Sequence, residues 1–186
     1  MANVNQVVNF IINWAQDKGE PITNMWLQKL LYFSQGQQLA RTGNRLFSDR
    51  IEAWQWGPVV PGVYHMYKKY GDNPIPKATT FQPHQLTADE CDLVYDVLRK
   101  YGIYTASELM RQSHDTDPWK NAYTGEKHKE ISNSDMQAFF SMPLNKVSSF
   151  DDVLACADIP VYDTRNTDGY LMLPADDAAR ECEDAV

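Results

Sequence analysis

Val4, Val7, Val8, Ile11, Ile12 and Ala15 recur at alternating intervals of three and one, the spacing of a single helix face. Gly19 ends that helix and Pro21 blocks its resumption. Thr23 or Asn24 is placed to cap a second helix, whose stripe is Leu27, Leu30, Leu31, Ser34, Gln38 and neighbouring Leu39. The small Ser34 and Gly36 allow another helix to approach closely, and Thr42-Gly43-Asn44 stops the element. Residues 50–56 then change period. They alternate, with Glu52, Trp54 and Trp56 on one side and Ile51, Ala53 and Gln55 on the other, which predicts a short strand closed by Gly57-Pro58. Pro61 suits the first turn of a third helix carrying Val63, Tyr64, Tyr67 and Tyr70, ended by Gly71.

Residues 72–86 hold three prolines without a period and read as loop. Thr87-Ala88-Asp89-Glu90 and Thr105-Ala106-Ser107-Glu108 are capping boxes. The first opens a helix with Val94, Val97, Leu98 and Tyr101 inward, ending at Gly102. The second opens a short helix to about Ser113. Asp117 is placed to cap another, with Pro118 at its first position, and Ser132 begins a last core helix with Met136, Phe139 and Phe140 inward. Beyond Pro143 the pattern weakens. Phe150–Ala157 reads as a short helix, and Ile159–Tyr162 with Gly169–Leu173 suggest a C-terminal β-hairpin. The fold class expected is mainly α: a compact multi-helix single domain with a short β element around residues 50–56.

Charge divides the chain. From Val147 onward there are ten acids and two bases, so this segment holds the whole net charge of −8 while the first 146 residues balance. With a pI near 4.9 there is no clustered Lys/Arg for phosphate contacts, so direct nucleic-acid binding is not expected. The acidic end reads as solvated tail or as a surface that steers a basic partner. No apolar run is long enough to span a membrane, and the start lacks the basic region and cleavage site of a signal peptide. Three scattered cysteines, Cys91, Cys156 and Cys182, fit a reducing, cytoplasmic location.

Catalytic chemistry finds little purchase. His65, His84, His114 and His128 never pair with another His or Cys at ligand spacing, so no metal is expected. There is no nucleophile elbow, no cysteine flanked by His or basic residues, and no phosphate loop, so no cofactor or catalytic set is expected. Two aromatic segments stand out instead. Trp54 and Trp56 have the large rigid area of interface anchors and equally of core anchors. In Ser113–Trp119, His114 and Trp119 read either as a binding groove or as a helix end and the corner it packs into.

Three stretches together resemble the Panacea domain family, also called SocA-like. They are Ile22–Gly36 (ITNMWLQKLLYFSQG), Ile51–Tyr70 with its Glu-Ala-Trp-x-x-Gly-Pro-Val-x-Pro core, and His114-x-x-Asp117-Pro118-Trp119 followed by Ala122. Their order and spacing agree over residues 3–141, and the likeness does not cover the acidic segment. The resemblance implies a mostly helical domain with a small β element, placed here over residues 1–145, and charge sets apart an acidic C-terminal extension over 146–186, expected to be partly ordered. Members are typical of bacteria, prophages and mobile elements. The family is similar to antitoxins that neutralise a cognate protein toxin by direct binding. One branch is similar to a proteolytic adaptor that hands its toxin to ClpXP, and a phage or prophage accessory module binding a host protein is the third possibility. The expected partner-binding residues are Trp54, Trp56, Gly57, Pro58, Tyr64, His114 and Trp119.

Overall fold

A computed structural model describes residues 1–76, 86–125 and 128–149. All of them lie in one unit, Met1–Phe150. Residues 77–85 of the loop expected over 72–86, the short helix from Phe150 and the C-terminal hairpin fall outside the described residues. Those that are described form seven α-helices and a small sheet: α1 (Val4–Asp17), α2 (Asn24–Thr42), β1 (Glu52–Trp54), β2 (Gly57–Val59), α3 (Pro61–Tyr67, followed by a 3-10 turn over Lys68–Tyr70), α4 (Ala88–Tyr101), α5 (Ala106–His114), α6 (Asp117–Ala122), β3 (Lys129–Glu130) and α7 (Asn133–Ser141). The protein is mainly α, as expected. No helix among the described residues is long and apolar enough to cross a membrane.

The helix starts follow local chemistry. Thr23 Oγ1 accepts from the Trp26 amide, so Thr23 and not Asn24 caps α2. Both capping boxes form: Thr87 with Glu90 on α4 and Thr105 with Glu108 on α5, each side chain satisfying the other's backbone amide. Thr116, one residue before the expected Asp117, takes the cap position of α6. Its hydroxyl is committed elsewhere, to the Ser113 carbonyl and to Tyr32.

α2 is the axis of the molecule. It packs against α1, α3, α4, α5, α7 and β2. A single apolar stripe was expected, but 14 of its 19 residues are buried. The apolar part contributes Leu27, Leu30, Leu31 and Phe33, each worth roughly 1.5–3 kcal/mol on full burial. Phe33 stacks on Tyr101 of α4 at 4.1 Å, and Tyr32 meets Phe140 of α7 edge-on at 5.5 Å. Gly36 permits the close helix approach: a Cβ there would overlap the Phe140 ring.

The buried polar residues of α2 are satisfied one by one by distant backbone. Gln35 accepts from the amides of Leu46 and Phe47 and donates to the Phe47 carbonyl. Gln37 donates to the Asn145 carbonyl and accepts from the Val147 amide. Gln28 accepts from the Val60 amide at 2.8 Å and donates to Asn24, which in turn donates to the Tyr64 carbonyl. A helix carrying this many internal acceptors and donors organises the loops around it.

The sheet corrects one expectation. Gly57-Pro58 does not terminate a lone strand. It forms β2, which pairs antiparallel with β1 in the register Glu52 with Val59 and Trp54 with Gly57, and β3 adds on the far side of β1. Proline is tolerated because β2 is an edge strand.

Candidate functional site

The β1–β2 hairpin turns through Gln55 and Trp56. Among the described residues no non-glycine residue has a positive φ, so the left-handed step falls on Gly57, at φ 95°. That geometry, ordinary turn residues followed by a left-handed glycine, matches the twist of the flanking strands. Gly57 is also pressed from below. A Cβ there would lie 2.8 Å from both Lys29 Nζ and Ser113 Oγ. Only glycine meets both conditions, so the tip is seated directly on α2 and α5.

Lys29 was not anticipated as part of any site. It is 1% exposed, and its amine donates to the Pro58 carbonyl at 3.0 Å. Burial away from water penalises the charged form and brings the pKa from 10.5 down to about 7. No ion pair among the described residues involves it. The sequence signal that could have exposed it is a lysine amid the apolar run Trp26–Leu31, with no acid one helical turn away.

The hairpin collects the sequence-derived residues into two groups. On one side Trp54 stacks on His128 at 4.3 Å and meets the Tyr64 ring edge-on at 5.0 Å. Its indole N–H donates to Glu52 Oε2 at 2.9 Å, and Arg50 pairs with the same carboxylate through Oε1. With Trp56 these rings border a cleft of about 410 Å³ that also involves Met25, Gln28 and Lys29. Trp56 is exposed, at 59%. Gly57 and Pro58 are buried and serve as the hairpin's seat.

On the other side, His114 ends α5 and stacks on Trp119 of α6 at 4.1 Å, and Trp119 stacks in turn on Tyr123 at 4.6 Å. Trp119 is buried and its indole N–H donates to the Trp54 carbonyl at 3.1 Å, tying this stack to the hairpin. His114 Nε2 is buried without a hydrogen-bond partner. Burial first, and then the nearby Lys29, lower the His114 pKa, against smaller opposing contributions from Asp115 and the Gln55 backbone. A helix C-terminus alone favours the protonated ring, but here desolvation dominates. Trp119 and His114 therefore brace the hairpin from behind, while Trp54, Trp56 and Tyr64 border the open cleft. Among the described residues no group of three or more His, Cys, Asp or Glu is placed to hold a metal ion.

The family described as "Antitoxin SocA-like, Panacea domain" matches residues 27–120, half of the chain. That span runs from α2 into α6, so it contains Lys29, the hairpin, Tyr64, His114 and Trp119. Antitoxin SocA of Caulobacter vibrioides (strain NA1000 / CB15N) is similar, at 33% identity over 124 residues covering 61% of this chain and 66% of that protein. The chain thus spans just under two thirds of the length of that curated relative. No solved structure matches.

Proposed function

Because the chain belongs to the SocA-like Panacea domain family, we propose that it is an antitoxin that neutralises a cognate protein toxin by direct binding, without catalysis of its own. The observation that carries this is the family match over half the chain, together with the likeness to Antitoxin SocA. The geometry supports it. Trp56 offers a large rigid ring at 59% exposure on a hairpin tip that is braced from beneath, and such preorganised aromatics dominate interface energetics. The cleft beside it supplies concave aromatic surface for a partner side chain.

The test is co-expression. A small neighbouring gene should arrest growth when expressed alone and be tolerated together with this chain, and the two products should copurify. Trp56→Ala should keep the fold and weaken both rescue and copurification. A neighbouring product that is harmless by itself would remove the basis for the antitoxin role. Toxin half-life with and without ClpX separates neutralisation by binding from delivery to ClpXP: an unchanged half-life indicates binding alone.

A further inference from the structure

The β1–β2 hairpin is held by donors that rise from the helices beneath it. Trp119 of α6 donates to the Trp54 carbonyl at 3.1 Å, Lys29 of α2 donates to the Pro58 carbonyl at 3.0 Å, and the His114 ring of α5 hydrogen-bonds to the Gln55 backbone. Two of these three holders are titratable. Among the described residues neither is in an ion pair, and His114 Nε2 is buried without a partner. The charged groups around them are engaged elsewhere or unpaired with them. Asp115 adjoins His114 and faces Lys120, and Asp117 acts on Tyr32. Glu52 of β1 is taken by Arg50 and the Trp54 indole. Tyr64, Lys68, Asp72 and His128 border the cleft that Lys29 also lines, without an ion pair to it.

The hairpin itself covers the Lys29 amine. A Cβ on Gly57 would lie 2.8 Å from Nζ, and the Pro58 carbonyl is in contact with it, which leaves Lys29 only 1% exposed. Gln55 and Trp56 at the tip are exposed, so the tip buries little apolar surface of its own. Lifting it admits water to the amine, and a solvated amine takes the proton that a buried one resists. We infer that the hairpin tip is a proton-linked element, which unseats locally with uptake of one proton at Lys29, so that Lys29 is a positioning residue for the exposed Trp56 ring. Burial sets the direction. The amine has a pKa of about 7 when covered and 10.5 when solvated, so the seated tip gains on the open one as pH rises from about 7 toward 10.5. Below pH 7 both forms hold that proton and the change levels off. Burial also lowers the His114 pKa, so its protonation acts in the same direction at lower pH. The consequence for a toxin rests on the antitoxin reading: the surface offered to it is firmest on the alkaline side of neutral and loosens on acidification. The device itself belongs to this chain alone.

Hydrogen exchange of the full chain tests this. The Trp119 indole N–H reports release of the hairpin, because the Trp54 carbonyl holds it. The slowest-exchanging amides of α2 report opening of the whole fold. Protection factors, in which the chemical pH dependence of exchange is divided out, are compared from pH 7.5 to 9.5. The Trp119 indole is expected to be less protected than the α2 amides throughout, and to gain about tenfold in protection per pH unit. Lys29→Met, which keeps the apolar stem and removes the amine, is expected to make Trp119 protection independent of pH over this range. Trp119 protection equal to that of the α2 amides would mean that the hairpin opens only with the whole fold. A wild-type profile flat with pH, or a slope that survives Lys29→Met, would mean that no proton is taken up at Lys29. Each of these results overturns the inference, and the wild-type profile decides it without any variant. No partner is present in the measurement, so its failure leaves the antitoxin role standing, and a harmless neighbouring gene product removes that role while leaving the exchange result as it is.

Discussion

Replacing Lys29 by methionine should make the protein more stable near neutral pH and less stable in alkali. The ordinary lysine pKa of 10.5 falls to about 7 in the fold. Between these values the unfolded chain holds the proton and the folded chain does not, so wild-type stability rises with pH across that window. Below pH 7 both states are protonated and the difference levels off. At ~1.36 kcal/mol per tenfold, keeping the amine buried costs about 4 kcal/mol at pH 7 and almost nothing by pH 10.5. Methionine removes that pH-dependent cost. It also leaves the buried Pro58 carbonyl without its donor, a loss of roughly 1–3 kcal/mol at every pH. The variant is therefore more stable by ~1–3 kcal/mol at pH 7 and less stable by a similar amount by pH 10.5, with the curves crossing at about pH 8–10. Urea unfolding of both proteins at half-unit steps from pH 6 to 10.5 measures the difference directly. Subtracting the two curves cancels the titration of other groups, apart from a rise in the His114 pKa once the Lys29 amine is gone. A stability difference that stays constant across the range would show that Lys29 keeps its proton in the fold, and the desolvation account would be wrong.

Further outcomes follow from the same contacts. Gly57→Ala imposes a left-handed backbone and drives a methyl into Lys29 and Ser113, so unfolding should show a loss of about 2–4 kcal/mol; a change within experimental error would mean that the hairpin is not seated as described. Gly36→Ala should destabilise by about 1–3 kcal/mol, and a double-mutant cycle with Phe140→Ala should recover most of it, since the ring is what the new methyl meets. Gln35→Ala strands the Leu46 and Phe47 amides and should lower stability by roughly 2–4 kcal/mol in urea, more than a surface glutamine could. Thr105→Ala removes one exposed capping box and should lose about 1 kcal/mol, read as a small fall in the thermal midpoint.

Much of the fold can be read from periodicity and caps. The face of α1, the two capping boxes, the glycine stops after α2 and α3 and the inward Met136 and Phe140 of α7 are all local signals, and each is found where local chemistry puts it. What periodicity hid was α2. An apolar-stripe reading treats Gln28, Lys29, Gln35 and Gln37 as solvent-facing, yet they are buried because their partners lie 11 to 110 residues away in sequence. The hairpin was half visible. Alternation marked β1, but Pro58 disguised β2, whose edge position excuses the missing donor. The site residues were legible as aromatic types and not as roles. Nothing in the sequence separates Trp119, which braces from behind, from Trp56, which faces outward.

The glutamines of α2 also have a kinetic consequence. Gln35 is satisfied within a dozen residues, but Gln37 waits for Asn145 and Val147, and the gap beside Gly36 stays open until Phe140 arrives. A chain emerging from the ribosome therefore cannot complete its central helix until nearly the entire helical unit has been made. Such long-range closure slows folding relative to a bundle built on local contacts. Hydrogen exchange should show this as a single late step, with the α2 amides gaining protection together with those of α7 and not with those of α1.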